Sequence, residues 1–288
     1  MMPEPVVTRF APSPTGRLHA GHAYSALAAY RAATDVGGRF LLRIEDIDFT
    51  RCRPEFETAL LEDLRWLGLH WEEPVRRQSE HLAEYQQVIC SLRNRSLLYP
   101  CFCTRRDIQQ EIEAAGGAPQ GEEGPLYPGT CRDLSVTERE RRMQRGDEFA
   151  LRLNLQQALE SVGRPLTWHD QRCGPQTAQP ELFGDVVLAR KDIGCSYHIA
   201  AVVDDALQGI NLVVRGEDLF HATHLHRLLQ ALLNLPTPQY HHHRLIADES
   251  GQRLAKRRDS ESLQSLRAQG MTPDELMSRL RVVDEARR

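Results

Sequence analysis

Residues 9–22 read Arg9-Phe-Ala-Pro-Ser-Pro-Thr-Gly16-Arg-Leu-His19-Ala-Gly21-His22, and this stretch decides the fold. The run Pro5-Val-Val-Thr8 before it reads as a strand, and the alanine-rich run Ala23–Arg31 after it has helical spacing of its apolar residues. Between them, Pro12, Pro14, Gly16 and Gly21 fix the path of a strand-to-helix turn. Amides at such a helix start point outward with the positive end of the helix dipole, a cradle for phosphate. His19 and His22 stand one helical turn apart, so both imidazoles can face one ligand. Gly21 lacks a side chain where a flat ring or a backbone could press close.

Working outward, Phe40–Asp48 reads as a buried strand ending in carboxylates, Glu45 among them. A helix begins at Pro54 with Phe56, Leu60, Leu61, Leu64 and Leu67 on one stripe, and another spans Glu80–Leu92. From Asp185 the sequence is strand-like again, over Val186–Arg190 and Ser196–Asp205. Leu212–Val214 suits a central parallel strand, with Arg215-Gly-Glu-Asp218 at its carboxyl end, where open α/β sheets bind ligands. A long amphipathic helix follows over Ala222–Asn234. The two ends of the chain are thus expected to make one α/β unit, a doubly wound parallel sheet over residues 1–93 and 186–258. An insert would occupy 94–185, and a short helical segment 259–288.

The insert carries Cys101-Phe-Cys103, a helix near Asp107–Ala115, a Gly- and Pro-rich loop, and then Tyr127-Pro-Gly-Thr-Cys131. Cys-x-Cys with a third Cys after a loop suits a tetrahedral zinc site. No His lies between His81 and His169, so Tyr127 is the nearest fourth ligand; three unrelated buried thiols are the alternative. A basic helix (Thr137–Arg145) and strands at Phe149–Leu153 and Pro165–Trp168 complete the insert. His169-Asp170 reads as an exposed turn and His241–His243 as a polar strand edge. Cys173 and Cys195 read as small apolar residues.

Composition sets limits on all of this. The chain has 288 residues, 41% of them apolar, a formal charge of −4 and seven cysteines. It is long enough for a sizeable core, and no global basic field advertises nucleic acid. Local clusters remain at Arg139–Arg145 and Arg253–Arg258. An odd cysteine number argues against a disulfide framework. The start Met-Met-Pro-Glu-Pro lacks the regions of a signal peptide, so a cytoplasmic protein without membrane contact is expected.

Arg9-Phe-Ala-Pro-Ser-Pro-Thr-Gly16 with His19-Ala-Gly-His22 resembles the signature of class I aminoacyl-tRNA synthetases, in their glutamyl and glutaminyl branch. Arg43-Ile-Glu-Asp-Ile-Asp48 is similar to the same branch, and Arg253-Leu-Ala-Lys256-Arg257 to its lysine loop. The resemblance implies a Rossmann-like catalytic fold split by a connective domain. It also implies ATP-dependent activation of L-glutamate, with magnesium accompanying ATP. His19, His22 and Lys256 would be catalytic. Pro12, Gly16, His19, Gly21, His22, Arg253, Leu254, Lys256 and Arg257 would contact ATP. Glutamate would meet Arg9, Phe10, Ala11, Pro12, Ser13, Glu45, Tyr197 and Arg215. Some members hold one structural zinc through a Cys-x-Cys…Tyr-x-x-x-Cys set, here Cys101, Cys103, Tyr127 and Cys131.

The sequence departs from the branch at Arg253 and Ala255, which replace a lysine and a serine, and at Ala201, where an asparagine is usual. After the lysine loop it has room for only two short helices, Ser260–Arg267 and Pro273–Leu280, and none for an anticodon reader. These features resemble a shortened subgroup that attaches glutamate to the queuosine base of tRNA(Asp); a monomer is expected. A minimal enzyme charging the 3′ end of tRNA(Glu) and a non-catalytic RNA-binding paralogue are the rival readings.

Overall fold

The protein is described by a computed structural model covering residues 4–114, 119–122, 124–246 and 261–285, with side chains to 280. In chain order the first elements are β1 (Val7–Phe10), α1 (Ala20–Thr34), β2 (Arg39–Ile44), α2 (Pro54–Trp66), β3 (Glu72–Arg77) and α3 (Leu82–Asn94). The middle of the chain holds β4 (Leu98–Cys101), α4 (Arg105–Ala114), the short pair β5 (Gln120–Gly121) and β6 (Gly124–Pro125), α5 (Val136–Gln144), β7 (Ala150–Leu153), α6 (Leu155–Val162), β8 (Thr167–Asp170) and β9 (Gly174–Thr177). Then come β10 (Val187–Ala189), α7 (Tyr197–Leu207), β11 (Leu212–Gly216), α8 (Ala222–Leu232), β12 (Gln239–His243), α9 (Leu263–Ala268) and α10 (Pro273–Glu285).

The expected parallel sheet is present. β1, β2 and β3 pair in parallel, as do β11, β12 and β8. The two groups meet where the Asn211 amide donates to the Val7 carbonyl at 3.2 Å. Alternation along the strands shows that both faces are covered. Phe40, Leu42 and Ile44 of β2, with Leu212 and Val214 of β11, join a core shared with α1, α2, α9 and α10. Leu41 and Val213 face the opposite way, onto Val7, Trp168 and Tyr240. A strand buried on both faces reads as a continuous apolar run, which is why β2 and β11 were visible in sequence. A third core joins α3, β4, β7, α6, β10, α7 and α8.

Strands β8 and β9 lie within 94–185, yet they extend the sheet of β11 and β12. β10 turns back to pair with β7.

Several expectations need correction. Ser196–Asp205 is not a strand: Tyr197–Leu207 is helix α7. Residues 198–204 are all buried, so the segment has no polar face, and its β-branched, apolar run cannot be told from a buried strand by pattern alone. His241–His243 is no sheet edge, because β12 lies between β11 and β8. Asp170 is not in an exposed turn; it ends β8 and is 0% exposed, while His169 faces out. Cys195 is buried as expected, but Cys173 is exposed. Among the described residues, no helix is long and apolar enough to cross a membrane.

Candidate active site

The strand-to-helix turn puts two histidines at the start of α1. His19 caps the helix: its Nδ1 accepts the Gly21 amide at 3.1 Å, and Nδ1 of His22 accepts the His19 amide at 3.3 Å. The rings lie 3.8 Å apart, centroid to centroid. A Cβ on Gly21 would stand 3.0 Å from Cε1 of His19. A side chain there would crowd the neighbouring imidazole. Burial, then the neighbouring His19, pushes His22 down to about 4. The pair is neutral near pH 7, and two neutral rings, tilted 33° to each other, can share one site without repulsion.

The carboxyl ends of β1, β2 and β11 bring three arginines together. Arg9 sends Nε to Oδ1 of Asp205 at 2.9 Å and Nη2 to Oδ2 at 3.3 Å. Arg43, 0% exposed, donates to Asp205 at 2.8 Å, to Gln208 at 3.0 Å and to Glu45 at 3.0 Å. Burial pushes the Asp205 carboxyl up, but Arg9 and Arg43 outweigh it and hold it at about 2. Burial raises Glu45 more than Arg43 lowers it. Arg215 differs from the other two, because the hydrogen-bond partners found for it are neutral. Its Nε donates to Nε2 of His242 at 3.0 Å, Nη1 to the Tyr197 hydroxyl at 3.2 Å and Nη2 to Thr223 at 2.7 Å.

These groups open on one cleft of about 540 Å³. Arg9, Phe10, Ala11, Pro12, Ser13, His19, Gly21, His22, Glu45, Tyr197 and Arg215 all line it, so the structure gathers the residues proposed from sequence for glutamate and much of those for ATP. Gly16 is not part of that lining, and Arg253, Leu254, Lys256 and Arg257 lie outside the described residues. A second cavity of about 730 Å³ shares Ser13, Glu45 and Tyr197 and runs toward Arg105, Tyr127 and Arg152. Chemically, the first cleft offers cations for carboxylates, the carboxylates of Glu45 and Asp218 for an ammonium group, and neutral donors at a helix start for phosphate.

Sequence reasoning missed the supports beneath the cleft, Arg43, Asp205 and His242, and the wall residue His243. Nδ1 of His243 donates to the Arg244 carbonyl at 3.0 Å, leaving Nε2 to accept from the Ser25 hydroxyl at 2.9 Å. The Arg43-Ile-Glu45 alternation was a usable signal for Arg43, since period-2 spacing puts both side chains on one face.

The cysteines form a second centre. Ligand atoms of Cys101, Cys103 and Cys131 lie within 4.8 Å of one another. The Tyr127 oxygen is 3.5 Å from Sγ of both Cys101 and Cys103, and it accepts the Cys131 amide at 2.9 Å. The hydrogen bond from Cys101 pulls the Cys131 thiol below its ordinary value, and the same bond raises Cys101. A compact set of three sulfurs with one thiol already inclined to ionise could hold a metal.

Residues 5–284 match the family model described as tRNA synthetases class I (E and Q), catalytic domain. The chain belongs to this family. This synthetase is 50% identical over 278 residues to the Glutamyl-Q tRNA(Asp) synthetase of Rhodobacter capsulatus, covering 94% of this chain and 98% of that protein. It is 38% identical to the Glutamate–tRNA ligase of Aquifex aeolicus, over 96% of this chain but 56% of that one. The crystal structure of a glutamate tRNA ligase from Elizabethkingia meningosepticum superposes with a TM-score of 0.74 at 28% identity. It covers 93% of this chain, which spans 54% of that one. The class I fold expected from sequence and the ligase class are both borne out.

Proposed function

We infer that this synthetase activates L-glutamate with ATP, without tRNA, and transfers the glutamyl group to the queuosine base in the anticodon loop of tRNA(Asp). The observation that carries this is the 50% identity extending over 98% of a relative named for that reaction. The cleft supports it with groups suited to an amino acid of two carboxylates. In activation, a carboxylate oxygen of glutamate bonds to the α-phosphorus, and the bond from that phosphorus to pyrophosphate breaks. In transfer, an acceptor oxygen bonds to the acyl carbon, the bond to AMP breaks, and the acceptor's proton departs to solvent.

Arg9 and Arg215 would meet the carboxylates and Glu45 the ammonium group, with Ser13 and Tyr197 as neutral donors. His19, His22 and the first amides of α1 would meet the triphosphate, which arrives with magnesium, and Lys256 would hold the departing pyrophosphate. Because charge builds on phosphate oxygens, placed donors serve this reaction better than an acid or base. Cys101, Cys103, Cys131 and Tyr127 would hold one zinc, which ties both ends of the loop between Cys103 and Cys131 and takes no part in the chemistry. We place the reaction in the cytoplasm, with the chain acting as a monomer.

The test is transfer of labelled glutamate, with ATP, to tRNA from normal cells and from cells unable to make queuosine. Labelling of the first pool alone is expected. Equal labelling of both would replace this reading with 3′-end charging, and no transfer together with no exchange of pyrophosphate into ATP would leave a binding protein.

A further inference from the structure

Arg215 is 6% exposed and cationic, yet it is held by three neutral groups. A buried cation without a counter-charge is costly. A hydrogen-bonded path to a carboxylate runs through one imidazole. His242 places Nε2 against Arg215, and its Nδ1 is 2.7 Å from Oδ2 of Asp170, with both side chains 0% exposed. Asp170 is itself fixed. Its Oδ1 accepts the amides of Arg172 and Cys173, each at 2.9 Å, and Oδ2 also accepts the His242 amide at 3.1 Å.

We propose that Asp170 is a positioning residue, which acts through His242 to hold the guanidinium of Arg215 with its spare N–H groups facing the cleft. The logic is one of donors and acceptors. A carboxylate oxygen can only accept, so Nδ1 of His242 carries the proton and Nε2 presents a lone pair. That lone pair takes the Nε–H of Arg215, and Thr223 and Tyr197 take one N–H from each terminal nitrogen. One N–H on Nη1 and one on Nη2 remain to meet a carboxylate. Were the proton on Nε2 instead, two donors would face each other and the guanidinium would turn. Asp170 thus supplies the negative charge at a distance, without occupying those N–H groups.

The proposal rests on Arg215 binding a substrate carboxylate, as read above. The test uses the full chain and the variants Asp170→Asn, Arg215→Lys and the pair together. In Asp170→Asn, Oδ1 keeps the turn amides while an amide nitrogen replaces Oδ2, so the His242 backbone amide loses its acceptor and the imidazole must accept at Nδ1, which reverses its tautomer. In pyrophosphate exchange, the KM for glutamate is expected to rise about tenfold, the scale of one mispaired charged hydrogen bond. The KM for ATP should stay within about twofold, and preference for glutamate over glutamine should fall as the glutamate KM rises. In the Arg215→Lys background the Asp170 change should add little.

Histidine nitrogen correlation spectra of the wild type, recorded without substrates, should show His242 protonated at Nδ1. An Nε2-protonated His242 there would overturn the proposal even if Asp170→Asn failed to fold. So would an unchanged glutamate KM with a lower kcat and melting temperature, or full additivity in the double variant. Wild-type protein with no glutamate-dependent exchange would overturn the functional reading instead, and the spectrum separates the two failures.

Discussion

Oδ1 of Asp205 lies 2.9 Å from Nε of Arg9 and 2.8 Å from Nη1 of Arg43, so one helix carboxylate fastens the ends of two neighbouring strands. Removing one partner from such a buried network leaves an uncompensated charge, a loss of about 3–5 kcal/mol. Asp205→Asn should lower the urea midpoint accordingly and weaken glutamate binding through Arg9. The pH dependence has a definite sign. Arg9 and Arg43 hold this carboxyl at about 2 against the opposing effect of burial, below the unfolded value of about 3.9. Its stabilisation is therefore complete above the unfolded value and is lost as pH falls toward 2. Urea titrations at descending pH should show that loss in the wild type and much less of it in Asp205→Asn.

His19 can be replaced without disturbing the helix start, because asparagine is also a good cap and its oxygen can accept the Gly21 amide. His19→Asn should keep the wild-type melting temperature while pyrophosphate exchange falls about 100-fold, as when one oriented donor to developing charge is lost. A rate within about threefold of wild type would remove His19 from the chemistry.

His22 is held near 4 by burial and by His19, so it is neutral in the free protein. An incoming triphosphate raises the affinity of that ring for a proton. Calorimetry of ATP binding at pH 6, in buffers of different ionisation heat, should reveal proton uptake that disappears in His22→Asn. Identical uptake in both proteins would show that the triphosphate does not sit against this ring.

Tyr197 accepts from Nη1 of Arg215 at 3.2 Å. Tyr197→Phe leaves the ring in place and forfeits about 1 kcal/mol of hydrogen bonding. The glutamate KM should rise about fivefold with the ATP KM unchanged, and steady-state exchange at varied glutamate checks it.

At the cysteine centre, elemental analysis of the purified protein should find one zinc per chain, and none in Cys131→Ser. Because metal binding contributes to folding, that variant should melt earlier and lose transfer to tRNA more than it loses exchange. A metal-free wild type of unchanged stability would refute the zinc reading.

The turn at residues 9–22 was legible because its prolines, glycines and alanine run are local signals, and the residues of the cleft followed from it. What escaped notice was decided elsewhere in the chain. β3 is Glu72-Glu-Pro-Val-Arg-Arg77, a charged run held as a strand by pairing with β2 rather than by its own composition. The hydrogen bond between Asp170 and His242 joins residues 72 apart, and each alone looks like a surface polar residue. In α7, uniform burial erased the periodicity that marks a helix, while in α1 enough polar positions remained to show it.

The path of the chain between the two sheets bears on how the molecule is assembled. It enters the smaller sheet with β4 and β7, crosses to the larger one for β8 and β9, and returns for β10 before α7. No single contiguous stretch holds all of the smaller sheet without also holding β8 and β9 of the larger one. Excising 94–185 would strip β12 of β8, one of its two neighbours, and leave His242 on an open edge. The two halves are threaded through each other like lacing, so neither can be exchanged as a module.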